Sequence, residues 1–453
     1  MQSFRAAFFI NNAVKDKINI FLIFFITIIS RLPFIWNSPG IDPDNWLVLF
    51  TGQEITKTGA YVVSRLPGYP LSEYLAAFLG PKSWRIINFI TVLFSAFAMI
   101  YFYKILDFFS LKDKLLSTIT LAFTQGIFIA STVNMEYIWS IFFLSAGTYN
   151  LLKSKSIIAG IFIGLMVATR FTNIVLLLPL LYLIIYVVKE KSISKIVLFL
   201  LTSIVTFGVC FTVVVRKYGL NLFPSEIWSL PDLKAIISLY TLHLYGFFGL
   251  LGLLISFLYI LIDLKKINLK LKENKALIIF CFLMITMTSI VYFRFPFESY
   301  YNLPLLPFLI IILNIVLLSN KMKKIVFSLL IISPFIGYIS QNKIQLKGSI
   351  FVNEKMENDF LDYTEKIHNS FSNKIEQKKI LVAGGFYYAY KCIYNSDNNK
   401  ILKTPSIEEI KYYISKGYII YYPLAIKDEI IELQQYDITE FGESILPPLI
   451  YDR

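Results

Sequence analysis

Apolar runs separated by short polar turns fill the first three quarters of the chain, and runs of this length predict membrane helices rather than strands. Candidate spans fall at about 18–36, 86–108, 115–131, 136–152, 157–169, 172–188, 196–215, 236–262, 276–293, 300–319 and 325–341, eleven in all. The pair 157–169 and 172–188 is parted only by Thr169-Arg170-Phe171-Thr172-Asn173. A helix over 157–169 reaches roughly 20 Å at about 1.5 Å per residue, short of a hydrocarbon core of roughly 30 Å, so a single long helix over 157–188 is the rival assignment.

Lysines decide between the two. With one long helix, Lys189, Lys191, Lys195, Lys265, Lys266, Lys270, Lys272, Lys275, Lys321, Lys323 and Lys324 all move outside, against the positive-inside tendency. Two helices turning at Arg170 keep them inside with Lys112, Lys114, Lys153 and Lys155. The expected topology is a multi-pass protein of the cell membrane with a cytoplasmic N-terminus. The loop at about 37–85, the Asn134–Tyr137 turn, the Arg170 turn, a loop at about 216–235, the Arg294–Tyr301 turn and everything after 341 then face the extracytoplasmic side. The fold class expected is a polytopic α-helical membrane protein with about eleven transmembrane helices in residues 1–341 and a small extracytoplasmic α/β domain in residues 342–453.

In that C-terminal part, Lys379–Gly385 reads as a buried strand ending in a turn, Ser406–Ser415 as a helix capped by Ser406, and Tyr418–Tyr422 as another strand. Gly384-Gly385 lacks the G-x-G-x-x-G pattern and reads as a tight turn.

Composition agrees with a membrane location: 56% of the 453 residues are hydrophobic, more than one soluble core can hide. The net charge of +13 lies largely in the lysine turns, so it reports topology and not a nucleic-acid partner. Cys210 and Cys281 fall in apolar runs and Cys392 stands alone in the polar part, which excludes a disulfide framework or a CxxC metal site. The basic residues Arg5, Lys15 and Lys17 precede an apolar run long enough to span, with no A-x-A-like cleavage site after it, so that run is expected to stay as a helix.

The candidate chemistry concentrates in the first long loop. Asp42-Pro43 is an N-cap followed by the favoured first helical residue, Asp44 stands in the first turn, and Gly59 is a natural stop. A second short helix runs from about Pro70 to Leu79, closed by Gly80-Pro81. Their apolar residues (Trp46, Leu47, Phe50, Ile55; Leu71, Leu75, Phe78, Leu79) suit two helices lying in the membrane interface. For Asp42, complementing the helix start outweighs chemistry. For Asp44 the balance reverses on a resemblance.

The order Pro43-Asp44-Asn45, helix, Gly59-Ala60-Tyr61, then Ser64-Arg65-Leu66-Pro67-Gly68 resembles the membrane glycosyltransferases of the GT-C superfamily, in particular the protein O-mannosyltransferase and aminoarabinose transferase-like branch that uses polyprenyl-phosphate sugars. The resemblance covers roughly residues 30–110. It implies a transferase with Asp44 at the position of the catalytic acid, with Asp42 as a further candidate beside it; a single displacement of this kind would invert the anomeric centre. Asn45 stands where Glu is usual, and Tyr69-Pro70-Leu71 replaces the Lys-Pro-Pro found downstream in several members.

Transfer from a lipid phosphate needs cations for the leaving group and a base for the acceptor hydroxyl. Arg65, Arg170 and Arg294 are the candidate donor-phosphate ligands, because a guanidinium matches phosphate in a bidentate way. Snorkelling to the interface is the rival role for Arg170, and an ion pair with Glu298 is the rival for Arg294. Tyr61, Tyr69, Glu298 and Tyr301 are candidate substrate contacts, whereas Glu136 and His243 read as loop and helix-packing residues. No metal site is expected, although the D-x-D of Asp42 and Asp44 leaves a divalent cation open. Expected partners are a polyprenyl-phosphate-linked sugar donor, an unidentified glycan, lipid or protein acceptor, and membrane lipids. A lipid-linked glycan flippase or transporter is the competing reading, and it predicts broken helices at matching places in two repeated halves, which the chain lacks. A glycan polymerase or ligase would share the arginines without an acid in the first loop.

Overall fold

The computed structural model describes residues 2–80, 84–219, 231–340, 343–374, 378–394, 400–429 and 443–446. Residues 220–230 of the loop expected at 216–235, and Pro81 of the expected Gly80-Pro81 stop, lie outside the described residues. The helices run in chain order as α1 (Gln2–Arg31), α2 (Pro43–Thr58), α3 (Pro70–Leu79), α4 (Trp84–Phe108), α5 (Lys114–Phe123), α6 (Gln125–Ala130), α7 (Tyr137–Leu152) and α8 (Ser156–Thr169). They continue as α9 (Leu177–Tyr182), α10 (Ile193–Tyr218), α11 (Leu233–Tyr240), α12 (Leu242–Ile262), α13 (Leu264–Glu273), α14 (Lys275–Arg294), α15 (Leu306–Val316) and α16 (Asn320–Ile332). After these come β1 (Ile336–Ser340), β2 (Lys343–Lys347), α17 (Ser349–Ser372), β3 (Lys379–Val382), α18 (Tyr387–Tyr394), β4 (Lys400–Leu402), α19 (Ile407–Ser415), β5 (Ile419–Pro423) and β6 (Glu443–Leu446).

Six helices among the described residues are long and apolar enough to cross a membrane: Val14–Phe34, Trp84–Phe108, Ile193–Tyr218, Leu242–Ile262, Lys275–Arg294 and Ser299–Val316. On α10, Ile193, Val197, Leu201, Ile204, Val205 and Val209 are exposed at helical spacing, a continuous apolar stripe of the kind that hydrocarbon covers. The opposite side of α10 meets α8, where Gly160 and Gly164 let the two backbones approach: a Cβ on Gly160 would come within 2.7 Å of the Phe199 carbonyl, and one on Gly164 within 2.6 Å of the Ser203 carbonyl.

Several apolar runs are more broken than their hydropathy predicts. The run at 115–131 is two helices because Thr124 takes an extended conformation (φ −61°, ψ 133°). Gln125, just past that break, donates its Nε2 to the Leu242 and His243 carbonyls at 2.8 and 3.1 Å, and α12 itself departs from helical geometry at Gly246 (φ 71°). The run at 325–341 also ends early: α16 stops at Ile332 before Pro334, and residues 336–340 form β1, antiparallel to β2. At Arg170 the chain leaves the helix (φ −143°, ψ 99°), resumes as a 3-10 segment over Phe171–Leu176 and continues into α9.

The chain forms two compact units. One comprises Met1–Trp36, Arg65–Ser72 and Asn88–Val352; the other comprises Asn37–Ser64, Glu73–Ile87 and Asn353–Arg453. The composition change near 342 and the compact units thus divide the chain differently, since most of the first loop belongs with residues 353–453. In the first unit, Phe128, Ile129 and Ile350 form a core cluster covered by Phe34, Phe123, Tyr300 and Phe335. In the second, a parallel sheet in the order β4-β3-β5-β6 buries Ile380, Leu381, Val382 and Tyr421.

Helix α2 packs within that second unit. Trp46 stacks on Phe360 of α17 and Phe50 lies against Tyr387 and Tyr388 of α18. Trp46 and Ile55 are therefore buried in protein, not offered to a membrane interface; on α3, by contrast, Phe78 is exposed.

Candidate functional site

Short polar turns between apolar helices must find partners for their charges inside the protein, and the turn from Ser131 to Glu136 between α6 and α7 is buried throughout. Arg31, at the end of α1, fixes its start by donating from Nε to the Ser131 hydroxyl at 3.1 Å. The same guanidinium donates to the Ser30 hydroxyl at 2.7 Å and to the Ala122 carbonyl, and lies 4.3 Å from the Phe128 ring centre. At the end of the turn stands Glu136, its side chain 1% exposed.

One oxygen of Glu136 carries two charge-assisted bonds. Arg65 donates from Nη2 to Oε1 at 2.8 Å, and Arg170 donates from Nη1 to the same oxygen at 2.8 Å. Oε2 of Glu136 is buried with no hydrogen-bond partner among the described residues. Arg170 reaches this point because α8 stops at Thr169; its backbone is held by its own N–H to the Met166 carbonyl at 3.0 Å, and Asn173 returns a bond to its carbonyl at 2.9 Å. Asn173 also donates to the Ser140 hydroxyl at 3.1 Å, locking the break against α7.

Tyrosine rings complete the cluster. The Arg65 guanidinium lies 4.1 Å from the Tyr69 ring centre, while that of Arg170 lies 4.1 Å from Tyr137, 4.7 Å from Tyr301 and 5.4 Å from Tyr69. The side chains are graded in exposure: Arg65 is 18% exposed, Arg170 5% and Glu136 1%. Two guanidiniums around one carboxylate, with the outer one partly exposed, can bind an anion.

The sequence expectations divide accordingly. Arg65, Arg170, Tyr69 and Tyr301 meet in one cluster, and Glu298 lies within electrostatic reach of Tyr137. Arg294 does not join them: it is exposed at the end of α14, 5.0 Å from the Phe295 ring centre. Nor does it form the ion pair with Glu298 that is its rival role: α14 stays helical through Arg294, whose side chain is exposed, and the chain leaves the helix only at Phe295 (φ −134°, ψ 69°). Snorkelling is also not the state of Arg170, which is buried on a carboxylate.

Within the second unit, Asp42 caps α2 by accepting the Asp44 N–H at 2.8 Å, and Pro43 follows at the first helical position. Asp44 is half-buried in the first turn. Asn45, the residue that departs from the GT-C pattern, is buried and donates its side-chain amide to the Pro39 carbonyl at 2.7 Å. Tyr61 gives its hydroxyl to the buried Glu73, which also receives the Ser64 N–H and hydroxyl at 2.6 Å each; this tyrosine shapes the loop from inside. Among the described residues no three His, Cys, Asp or Glu side chains gather around one point.

Glu136, which its sequence context marks as a loop residue, is the centre of the cluster. The signal that could have found it is a lone acid between two apolar runs, which at membrane depth requires a cationic partner. No protein-family model matches the chain, and no curated protein matches it significantly.

Proposed function

We propose that the chain is an integral-membrane inverting glycosyltransferase that moves a sugar from a polyprenyl-phosphate donor to an acceptor hydroxyl on the extracytoplasmic side. In this reading about eleven membrane segments carry the site, the N-terminus is cytoplasmic and the C-terminal α/β part is extracytoplasmic. Asp44 takes the proton of the acceptor hydroxyl; the freed oxygen attacks the anomeric carbon, and the bond from that carbon to phosphate breaks with its electron pair going to the phosphate oxygen. Arg65 and Arg170 supply the positive charge that the departing lipid phosphate requires.

One observation carries this reading: Arg65 and Arg170, far apart in sequence, converge with three tyrosines at the Glu136 end of α7 and α8, while Lys153 and Lys155 sit at the other end of the same helices. Anion-binding groups and positive-inside lysines thus fall at opposite ends, as a donor site on the outer leaflet needs. A polymerase or ligase is the second reading, favoured by the finding that the carboxylate within the arginine cluster is Glu136 and not a first-loop aspartate.

Asp44→Asn separates them. Membranes holding the variant should retain labelled polyprenyl-phosphate sugar and lose turnover by about a hundredfold or more. Undiminished turnover would move the assignment to the polymerase or ligase class; donor carried across the bilayer without being consumed would make the protein a flippase.

A further inference from the structure

We infer that Glu136 is a positioning residue for the lipid phosphate, holding Arg65 in the pose that meets the anion, with Arg170 as the buried anchor behind it. This rests on the lipid-phosphate reading of the site and assigns the one charged member of the cluster that the reading leaves without a role.

Depth is the first reason. An acidic side chain that merely occupied the anion's place until substrate arrived would lie outside the guanidinium it screens. Here the order is reversed, since Glu136 is 1% exposed and Arg65 18%. The second reason is orientation. A guanidinium is a planar fork whose direction must be fixed before it can grip phosphate through two donors. For Arg65 the plane is set by the Tyr69 face at 4.1 Å and the rotation by the 2.8 Å bond from Nη2 to Glu136. The third is the second arginine: Arg170 shares the same carboxylate oxygen and packs against the rings of both Tyr137 and Tyr301, which anchors the point to which Arg65 is tied. Removing the carboxylate leaves two cations facing each other and Arg65 without its hinge.

The test uses the purified full-length protein in lipid nanodiscs, with farnesyl phosphate as the probe and farnesol as its uncharged control. Wild type is expected to prefer the phosphate. Glu136→Gln is expected to lose about tenfold in farnesyl phosphate affinity with farnesol binding unchanged, and adding it to Arg65→Gln is expected to cost nothing further, because the two act through one contact. Equal phosphate binding by Glu136→Gln would overturn the inference, and tighter binding would overturn it and make the carboxylate a competitor of the anion. Should that variant not fold, Arg65→Lys carries the decision: it keeps the charge and loses the fork, and phosphate affinity equal to wild type would overturn the inference as surely. A wild type that binds farnesyl phosphate no better than farnesol would overturn the lipid-phosphate reading itself, whereas wild-type preference surviving Glu136→Gln overturns the positioning role alone.

Discussion

Glu357 shows how burial dominates a residue's behaviour. It lies on α17, where loss of solvation pushes its carboxyl up to about 8; the Ser38 hydroxyl bond pulls the other way and the charge of Glu354 adds to the rise. Ser38 accepts the Gly40 N–H at 2.9 Å and Asn37 donates to Glu354 at 3.3 Å, so the pair of acids ties α17 to the segment that leads into α2. A folded-state value above the unfolded one means that the folded protein holds the extra proton. Its stability is therefore highest below the ordinary carboxyl range and falls as pH rises toward and through about 8. The melting temperature of the purified protein should drop between about pH 4.5 and about pH 8 and level off above that, and Glu357→Gln should flatten the slope. A slope unchanged by the substitution would assign the effect to another group. The capping role of Asp42 was legible because its partner lies two residues away. Glu136 was not, because its partners lie 71 and 34 residues away and no local pattern joins them. Glu73 stayed hidden for a milder version of the same reason, its partners being nine and twelve residues upstream.

At the scale of elements, the tightest joint is α8 against α10. Gly160→Leu must push against the Phe199 carbonyl and the Thr202 side chain, and overpacking of this kind costs about 1–3 kcal/mol or more. Gly208→Leu on α10, at an exposed position where an added Cβ meets no atom within 4 Å, serves as the control. Detergent-resistance or thermal-unfolding measurements should show the first variant clearly weakened and the second near wild type; equal behaviour would remove the close approach from the account of stability. Elements whose limits are set by local chemistry were readable in advance: α2 from Asp42-Pro43 to Gly59, α3 over Pro70–Leu79, and α19 with the Ser406 hydroxyl accepting from Glu409. The breaks at Thr124 and Gly246 were not readable, because each stands on the other: Gln125 satisfies carbonyls that α12 leaves open near its kink. Hydropathy sees two apolar runs there and cannot see that each interrupts its neighbour.

For the molecule as a whole, the distribution of charge is what an experiment can read. Lys323 pairs with Asp113 at 3.1 Å, Lys114 with Asp16 at 3.3 Å and with Asp107, and Lys153 lies 5.2 Å from the Phe108 ring centre, so turns far apart in sequence meet at one end of the helices. With the three native cysteines replaced, Lys272→Cys should be reached by an impermeant thiol reagent only after the membrane is opened, and Lys411→Cys in intact cells. Labelling of both from the same side would overturn the proposed topology. The outward stripe of α10 has a practical consequence of its own. A ridge of isoleucine, valine and leucine that no other described part of the chain covers must carry an annulus of lipid or detergent wherever the protein goes. Micelles too small to wrap its full length would then cost solubility before they cost the fold, and the first step of any purification becomes a choice of amphiphile.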